Sequence, residues 1–349
     1  MTKPPFEEQL LGQTIAGKYR LTAIQGAGFY SVVFVAEQHF CGRLVRPVAV
    51  KVSRQTGLTE ETAPHLFGDA IILARLLAGS HHDGRQHLVQ IHDMGLLPEH
   101  EGRAFLVMEY VDGRPLLSHM QAAGRFTVAT GLRLLKQVCL AMALVHAQGA
   151  IHRDLIPENI LVDRRGRVRV VDFGLAAYAD PRAGFVPGAM GTFCYMAPET
   201  VLGTSVPASD VYSIGLVMYQ LFTGGGPHLT APWATDEKED RSRENYRIKT
   251  GLRFAPPSEF QNEIRNDYRW LDGLLLRCLD PDPARRFPDA GAAAARAISA
   301  CEAGEPLPPI EYGDTRNQTP LPHPPAVDEA GEAVFREVRK LLTGGRMPR

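Results

Sequence analysis

The sequence predicts an α+β chain, strands first and helices after, and three observations carry that expectation. From Tyr19 the apolar residues recur with period two, through a glycine turn and on to Val52, the pattern of half-buried strands. Residues 88–97 and 104–111 read as two more strands, flanking the polar turn Pro98-Glu99-His100-Glu101-Gly102. From Leu116 onward the spacing becomes helical, with Leu132, Leu135, Val138, Leu140 and Leu144 building one long apolar helix. Strands in one run and helices in the next point to an α+β fold. The 349 residues, 44% of them apolar, suffice for a sizeable core.

Taken in order, residues 1–16 show little periodicity and read as a lead-in. Leu21 and Ala23 then lead to Gly26-Ala27-Gly28-Phe29-Tyr30-Ser31, and Val32-Val33-Phe34-Val35-Ala36 follow. A dinucleotide-binding glycine motif runs from a strand into a helix, whereas here β-branched residues continue as a strand. In Val48-Ala49-Val50-Lys51, alternation puts Ala49 and Lys51 on one face. Leu66, Ala70, Leu73 and Leu77 form a helical stripe. The polar stretch Gly79–His87 belongs to a region with histidines at 81, 82, 87 and 92. Adjacent His81 and His82 point apart in an extended chain, so a solvated loop is expected rather than a metal site. Gly149 marks the end of the long helix, and Ser209-Asp210-Val211 opens another. The charged run His228–Lys249 reads as a solvated insert. Seven prolines between 304 and 325 forbid a continuous helix there, and residues 327–342 allow one amphipathic helix.

The chemistry concentrates between Ile151 and Glu199. Asp154, Asn159 and Asp172 lie within 19 residues, two carboxylates and a carboxamide of the kind that suits hard cations and phosphate. Leu161-Val162 and Val168–Val171 read as short strands around the turn Asp163–Gly166, a hairpin that would bring Asn159 and Asp172 together.

His152-Arg153-Asp154 with Asn159, then Asp172-Phe173-Gly174 and Ala197-Pro198-Glu199, resemble the catalytic loop and activation-segment markers of the eukaryotic-type protein kinases, in the style of their bacterial Ser/Thr members. The resemblance covers about residues 17–300 and implies a two-lobed fold. An antiparallel sheet with one helix (about 17–110) would precede a larger, mainly helical lobe (about 111–300), with 301–349 as a tail. It implies ATP and Mg²⁺ as cofactors and a protein Ser/Thr as substrate. Asp154 would orient the attacking hydroxyl, Asn159 and Asp172 would hold the metal, and Lys51 would hold the phosphates. Gly26, Gly28 and Ser31 would cover the phosphates. Val33, Ala49 and Leu161 would enclose the adenine, Met108 would guard the back of its pocket, and the backbone of Glu109 and Val111 would read it. Asp210 would hold the catalytic loop's backbone, and Arg286 would pair with Glu199.

Two departures from the family stand out. Ile156 replaces the usual catalytic-loop lysine, and Asp69 stands where a glutamate usually pairs with the strand lysine. The first points to a slow kinase, with a nucleotide-binding pseudokinase and a small-molecule kinase as alternatives. Residues 175–190 contain no Ser or Thr, so control by phosphorylation of that loop is not expected; Thr192 matches a threonine that lines the substrate shelf.

A net charge of −1 gives no global reason to expect nucleic acid or anionic membrane as partner. Five scattered cysteines without a C-x-x-C spacing argue for a reducing compartment. No signal peptide or transmembrane run is visible, so a cytoplasmic location is expected.

Overall fold

The computed structural model describes residues 5–28, 30–63, 68–78, 83–179, 184, 186–225, 246–293 and 295. The 301–349 tail lies outside the described residues. A six-stranded antiparallel sheet forms the N-terminal lobe, ordered β1 (Thr14–Ile15), β2 (Tyr19–Ala27), β3 (Ser31–Phe40), β4 (Arg43–Ser53), β6 (Arg103–Glu109), β5 (Ile91–Leu97). Alternation decides its faces. Val32, Phe34 and Ala36 of β3 and Val48, Val50 and Val52 of β4 are buried in one apolar cluster, and Val33, Ala49 and Lys51 take the other face. Residues 5–16, read from the sequence as a lead-in, carry α1 (Phe6–Leu10) and β1, and they add Leu10 and Ile15 to that cluster. Helix α2 (Gly68–Ala78) buries Ala70, Leu73 and Leu77 of the expected stripe, and Leu76 beside them; Leu66 lies outside the described residues.

After β7 (Gly113–Pro115) come α3 (Leu116–Ala123) and α4 (Val128–Ala147). Thr127 caps α4, its hydroxyl accepting the Thr130 N–H at 3.3 Å. Burying each of its core leucines contributes about 2 kcal/mol. Long and apolar enough to cross a membrane, α4 is instead mostly packed inside the C-terminal lobe. Strand β8 (Ala150–Ile151) leads to β9 (Ile160–Asp163) and β10 (Val168–Val170), whose register pairs Leu161 with Arg169. This is the expected hairpin. Short β11 (Ala177–Tyr178), β12 (Val186–Pro187), α5 (Pro198–Val201) and β13 (Thr204–Ser205) precede α6 (Pro207–Thr223), and α7 (Asn262–Asp267) and α8 (Trp270–Cys278) complete the lobe. The two lobes and antiparallel sheet are those the sequence implied. Cys41, Cys139, Cys194 and Cys278 are free thiols.

Candidate active site

The site is built on a buried carboxylate. Asp210, in the first turn of α6, is fully buried and accepts three hydrogen bonds: His152 N–H at 2.8 Å, Arg153 N–H at 2.9 Å and His146 Nε2 at 2.9 Å. His146 Nδ1 accepts the Ala290 N–H at 3.0 Å, so the ring proton sits on Nε2 and points at Asp210. Burial alone would raise the Asp210 carboxyl; its hydrogen bonds, His146 foremost, hold it below the ordinary range. These bonds fix an unusual backbone, because Arg153 has φ +67°. Such a conformation costs on the order of 1–3 kcal/mol in a non-glycine residue and persists only where surroundings over-determine it.

Downstream of that strained turn, Asp154 is set from two sides. Asn159 Nδ2 donates to the Asp154 carbonyl at 2.9 Å and to Oδ2 at 3.3 Å. Thr192 donates its N–H at 2.9 Å and its hydroxyl at 2.8 Å to Oδ1. The approach of the Thr192 segment requires glycine at 191. With φ +126°, a Cβ there would collide with the Arg153 carbonyl.

Across the cleft, Lys51 Nζ meets Asp172 Oδ1 at 2.7 Å. Burial would raise this carboxyl, but the Lys51 ammonium holds it below the ordinary range. Asp172 has φ +58°, and Phe173 next to it is buried with its ring centroid 4.5 Å from that of His152. A Cβ at Gly174 would lie 3.1 Å from Asp172 Oδ1, so a side chain there would push that carboxylate by a few tenths of an ångström. Val171 N–H donates to the Asn159 carbonyl at 2.9 Å, so the hairpin brings the two metal-ligand candidates to adjoining backbone. Val33, Ala49 and Leu161 are half-buried, with Val33 paired in register to Lys51, and the glycine turn closes through Gly28 N–H to Ser31 O at 2.9 Å. Met108 pairs in register with Ala49, and the Glu109 carboxylate is held by Arg169 Nε at 3.1 Å.

Two expectations, the Asp69 pairing and the solvated histidine loop, met something different or fell outside the described residues. The side chain of Asp69 lies outside the described residues, so the structure shows Lys51 only with Asp172. His87, assigned to a solvated loop, is buried, with Nδ1 3.4 Å from the Val168 carbonyl; His81 and His82 lie outside the described residues. Among the described residues no three His, Cys, Asp or Glu converge as a metal cage. The Arg286 guanidinium, assigned to Glu199, is there at 2.7 and 2.8 Å.

The charged insert holds the sharpest correction. Residues 226–245 lie outside the described residues, but Lys249 at its end is buried, not solvated. Its Nζ donates to the Cys194 carbonyl at 2.9 Å and lies 5.0 Å from the Phe193 ring centroid and 5.8 Å from that of Tyr212. Lys249 thus braces the segment that carries Thr192. Burial pushes its ammonium down to about 7. The unfolded chain therefore binds more protons between about pH 7 and 10, so this group makes stability rise with pH across that window, at up to about 1.4 kcal/mol per unit. Lys249→Met is expected to flatten that rise, read as the difference from wild type in urea melts at pH 7 and 8.5. Equal slopes in the two proteins would show that the ammonium is not penalised.

A lysine and a carboxylate bridging two lobes, with a second carboxylate set in a strained loop, define a phosphoryl-transfer cleft of the kinase type. A family model described as the protein kinase domain matches residues 19–296. The chain belongs to the protein kinase family, in its bacterial serine/threonine-like branch. It is similar to serine/threonine-protein kinase PknA of Mycobacterium tuberculosis (strain ATCC 25618 / H37Rv), 32% identical over 349 residues that cover 97% of this chain and 75% of that protein. It is also 32% identical to serine/threonine-protein kinase pkn3 of Myxococcus xanthus, covering 81% of this chain and 50% of that one. With PknB of Mycolicibacterium smegmatis the identity is 32%, over 92% of this chain and 49% of the relative.

Proposed function

We propose that the chain transfers the γ-phosphate of Mg²⁺-ATP to a serine or threonine hydroxyl of a protein. The observation that carries this reading is the setting of Asp154, whose carboxylate is oriented by Asn159 and Thr192, together with the Lys51–Asp172 pair that joins the two lobes. Asp154 aligns the substrate hydroxyl and accepts its proton as the oxygen attacks. Lys51 holds the α and β phosphates, and the turn from Gly26 to Ser31 covers them. The Glu109 and Val111 backbone reads the adenine between Val33, Ala49 and Leu161, with Met108 behind it.

The donor set suits Mg²⁺. Asn159 spends its Nδ2 on Asp154, which leaves Oδ1 as an oxygen ligand beside the ionised Asp172, and Mg²⁺ keeps few protein ligands when phosphates complete its shell. Bound there, the metal would neutralise charge on the transferring phosphoryl group. The segment from Gly191 to Glu199, folded onto Asp154 through Thr192, supports a protein rather than a small-molecule acceptor.

Ile156 sits in extended backbone at φ −125°, ψ 160°, where the family's lysine would reach the phosphoryl group. Missing one preorganised donor costs about 10²–10³ in rate. The chain is accordingly read as a slow kinase. The test is transfer of radiolabelled γ-phosphate to a protein substrate by the wild type and by Ile156→Lys. The wild type is expected to transfer label, and the variant to raise kcat at least about tenfold with little change in KM for ATP. No transfer by either protein would reject the reading; transfer with unchanged kcat in the variant would show that isoleucine is not what limits the rate.

A further inference from the structure

We propose that Arg54 is a positioning residue that ties α1 to the glycine turn, so that docking of α1 holds the turn over the nucleotide phosphates. The inference rests on the reading of that turn as the phosphate cover. Arg54 follows β4 directly, three residues after Lys51. Its backbone N–H donates to the Tyr30 carbonyl at 2.8 Å and its Nε to the Gly28 carbonyl at 2.8 Å, so one residue holds both arms of the turn. The other two guanidinium nitrogens are spent on α1. Nη1 and Nη2 donate to the two oxygens of Glu7 at 3.2 and 2.9 Å, and Arg54 is the main reason the Glu7 carboxyl lies below its ordinary range.

The clamp has a built floor. The Phe6 ring of α1 lies 5.1 Å from the Arg54 guanidinium carbon and 4.2 Å from that of Arg103, cation–π contacts that favour a charged, planar group on the ring. Arg103 is itself buried and donates to the Ser53 carbonyl at 3.2 Å and the Arg54 carbonyl at 2.5 Å, which fixes the backbone from which Arg54 projects. Leu10, 3% exposed, anchors the far end of α1 in the apolar cluster under the sheet.

The planarity of guanidinium makes this a tie rather than a set of contacts. Its five N–H donors are rigidly related, so orienting Nη1 and Nη2 on Glu7 also orients Nε on Gly28 O. A lysine could reach one partner but not hold both. If α1 lifts, the fork is released and the Gly28 carbonyl loses a donor whose direction α1 had set. The turn, with its two glycines, is the part of the sheet most able to respond.

The experiment uses the full chain as Glu7→Gln, Arg54→Lys and the double variant, with two readouts. The first is amide hydrogen exchange of residues 26–31 without nucleotide; the second is KM for ATP against KM for a protein substrate. Each single variant is expected to raise exchange in 26–31, and KM for ATP, by about threefold, the scale of one partly exposed ion pair. Exchange in α4 and KM for the protein substrate should stay at wild-type values. Because the contacts act in series, the double variant should match the single ones rather than multiply them. Unchanged exchange in 26–31 with Arg54→Lys, or fully multiplicative effects, would overturn the proposal. If the wild type shows no ATP-dependent transfer, the kinase reading falls instead, and the exchange measurement still decides whether α1 and the turn are tied.

Discussion

Asp154→Asn is expected to lower kcat by about 10²–10⁴, the range for removing a general base, while KM for ATP and the melting temperature stay near wild-type values. The substitution is isosteric, and an asparagine Oδ1 can still accept the two hydrogen bonds that Thr192 gives to Asp154 Oδ1. Only Oδ2 becomes an amide nitrogen, opposite Asn159 Nδ2 at 3.3 Å, a long contact whose loss costs little. What disappears is the carboxylate's capacity to take a proton. A kcat within tenfold of wild type, with folding intact, would remove Asp154 from the chemistry.

Asp210→Asn should act without touching nucleotide or substrate. The wild-type carboxylate accepts from three donors, and an asparagine amide would turn one acceptor oxygen into a donor against them. An unmatched buried donor costs about 1–3 kcal/mol, so the expected destabilisation is about 3 kcal/mol or more. Activity should fall as well, since Arg153 at φ +67° is held there by Asp210, and Asp154 follows it in the chain. The pH dependence has a definite sign. A carboxyl held below its unfolded value contributes stability above about pH 4, and loses it as pH falls through the lower folded value. The variant should lack that acid-limb loss in urea melts between pH 7 and 3. Wild-type stability at neutral pH would mean that His146 and the loop amides find other acceptors.

The sequence revealed this site because its chemistry is local. Residues 152–159 and 171–174 flank one hairpin, and a period-two pattern with a polar turn is enough to bring the backbone on either side of it together, Val171 N–H to Asn159 O. The Asp210 and Arg286 pairings span 57 and 87 residues, and they were legible only through resemblance, since no spacing rule joins groups that far apart. Lys249 was misread for a physical reason. In a run as charged as 228–249 composition says solvent, whereas burial follows from the neighbours that tertiary folding supplies, here Phe193, Tyr212 and the Cys194 carbonyl. The Glu7–Arg54 pair, 47 residues apart, gave no signal either. An acidic residue in an aperiodic stretch looks like lead-in until the arginine that needs it is located. His87 misled in the same way, because a polar loop can still fold its last residue inward against Val168.

Whether the chain is a Ser/Thr kinase is decided by phosphoamino-acid analysis of a protein substrate after incubation with the full chain, Mg²⁺ and ATP labelled on the γ-phosphate, with Asp154→Asn as the paired control. Label on phosphoserine or phosphothreonine with the wild type, dependent on Mg²⁺ and lost in the variant, is the predicted result; no label on either residue, or equal label with both proteins, would contradict it.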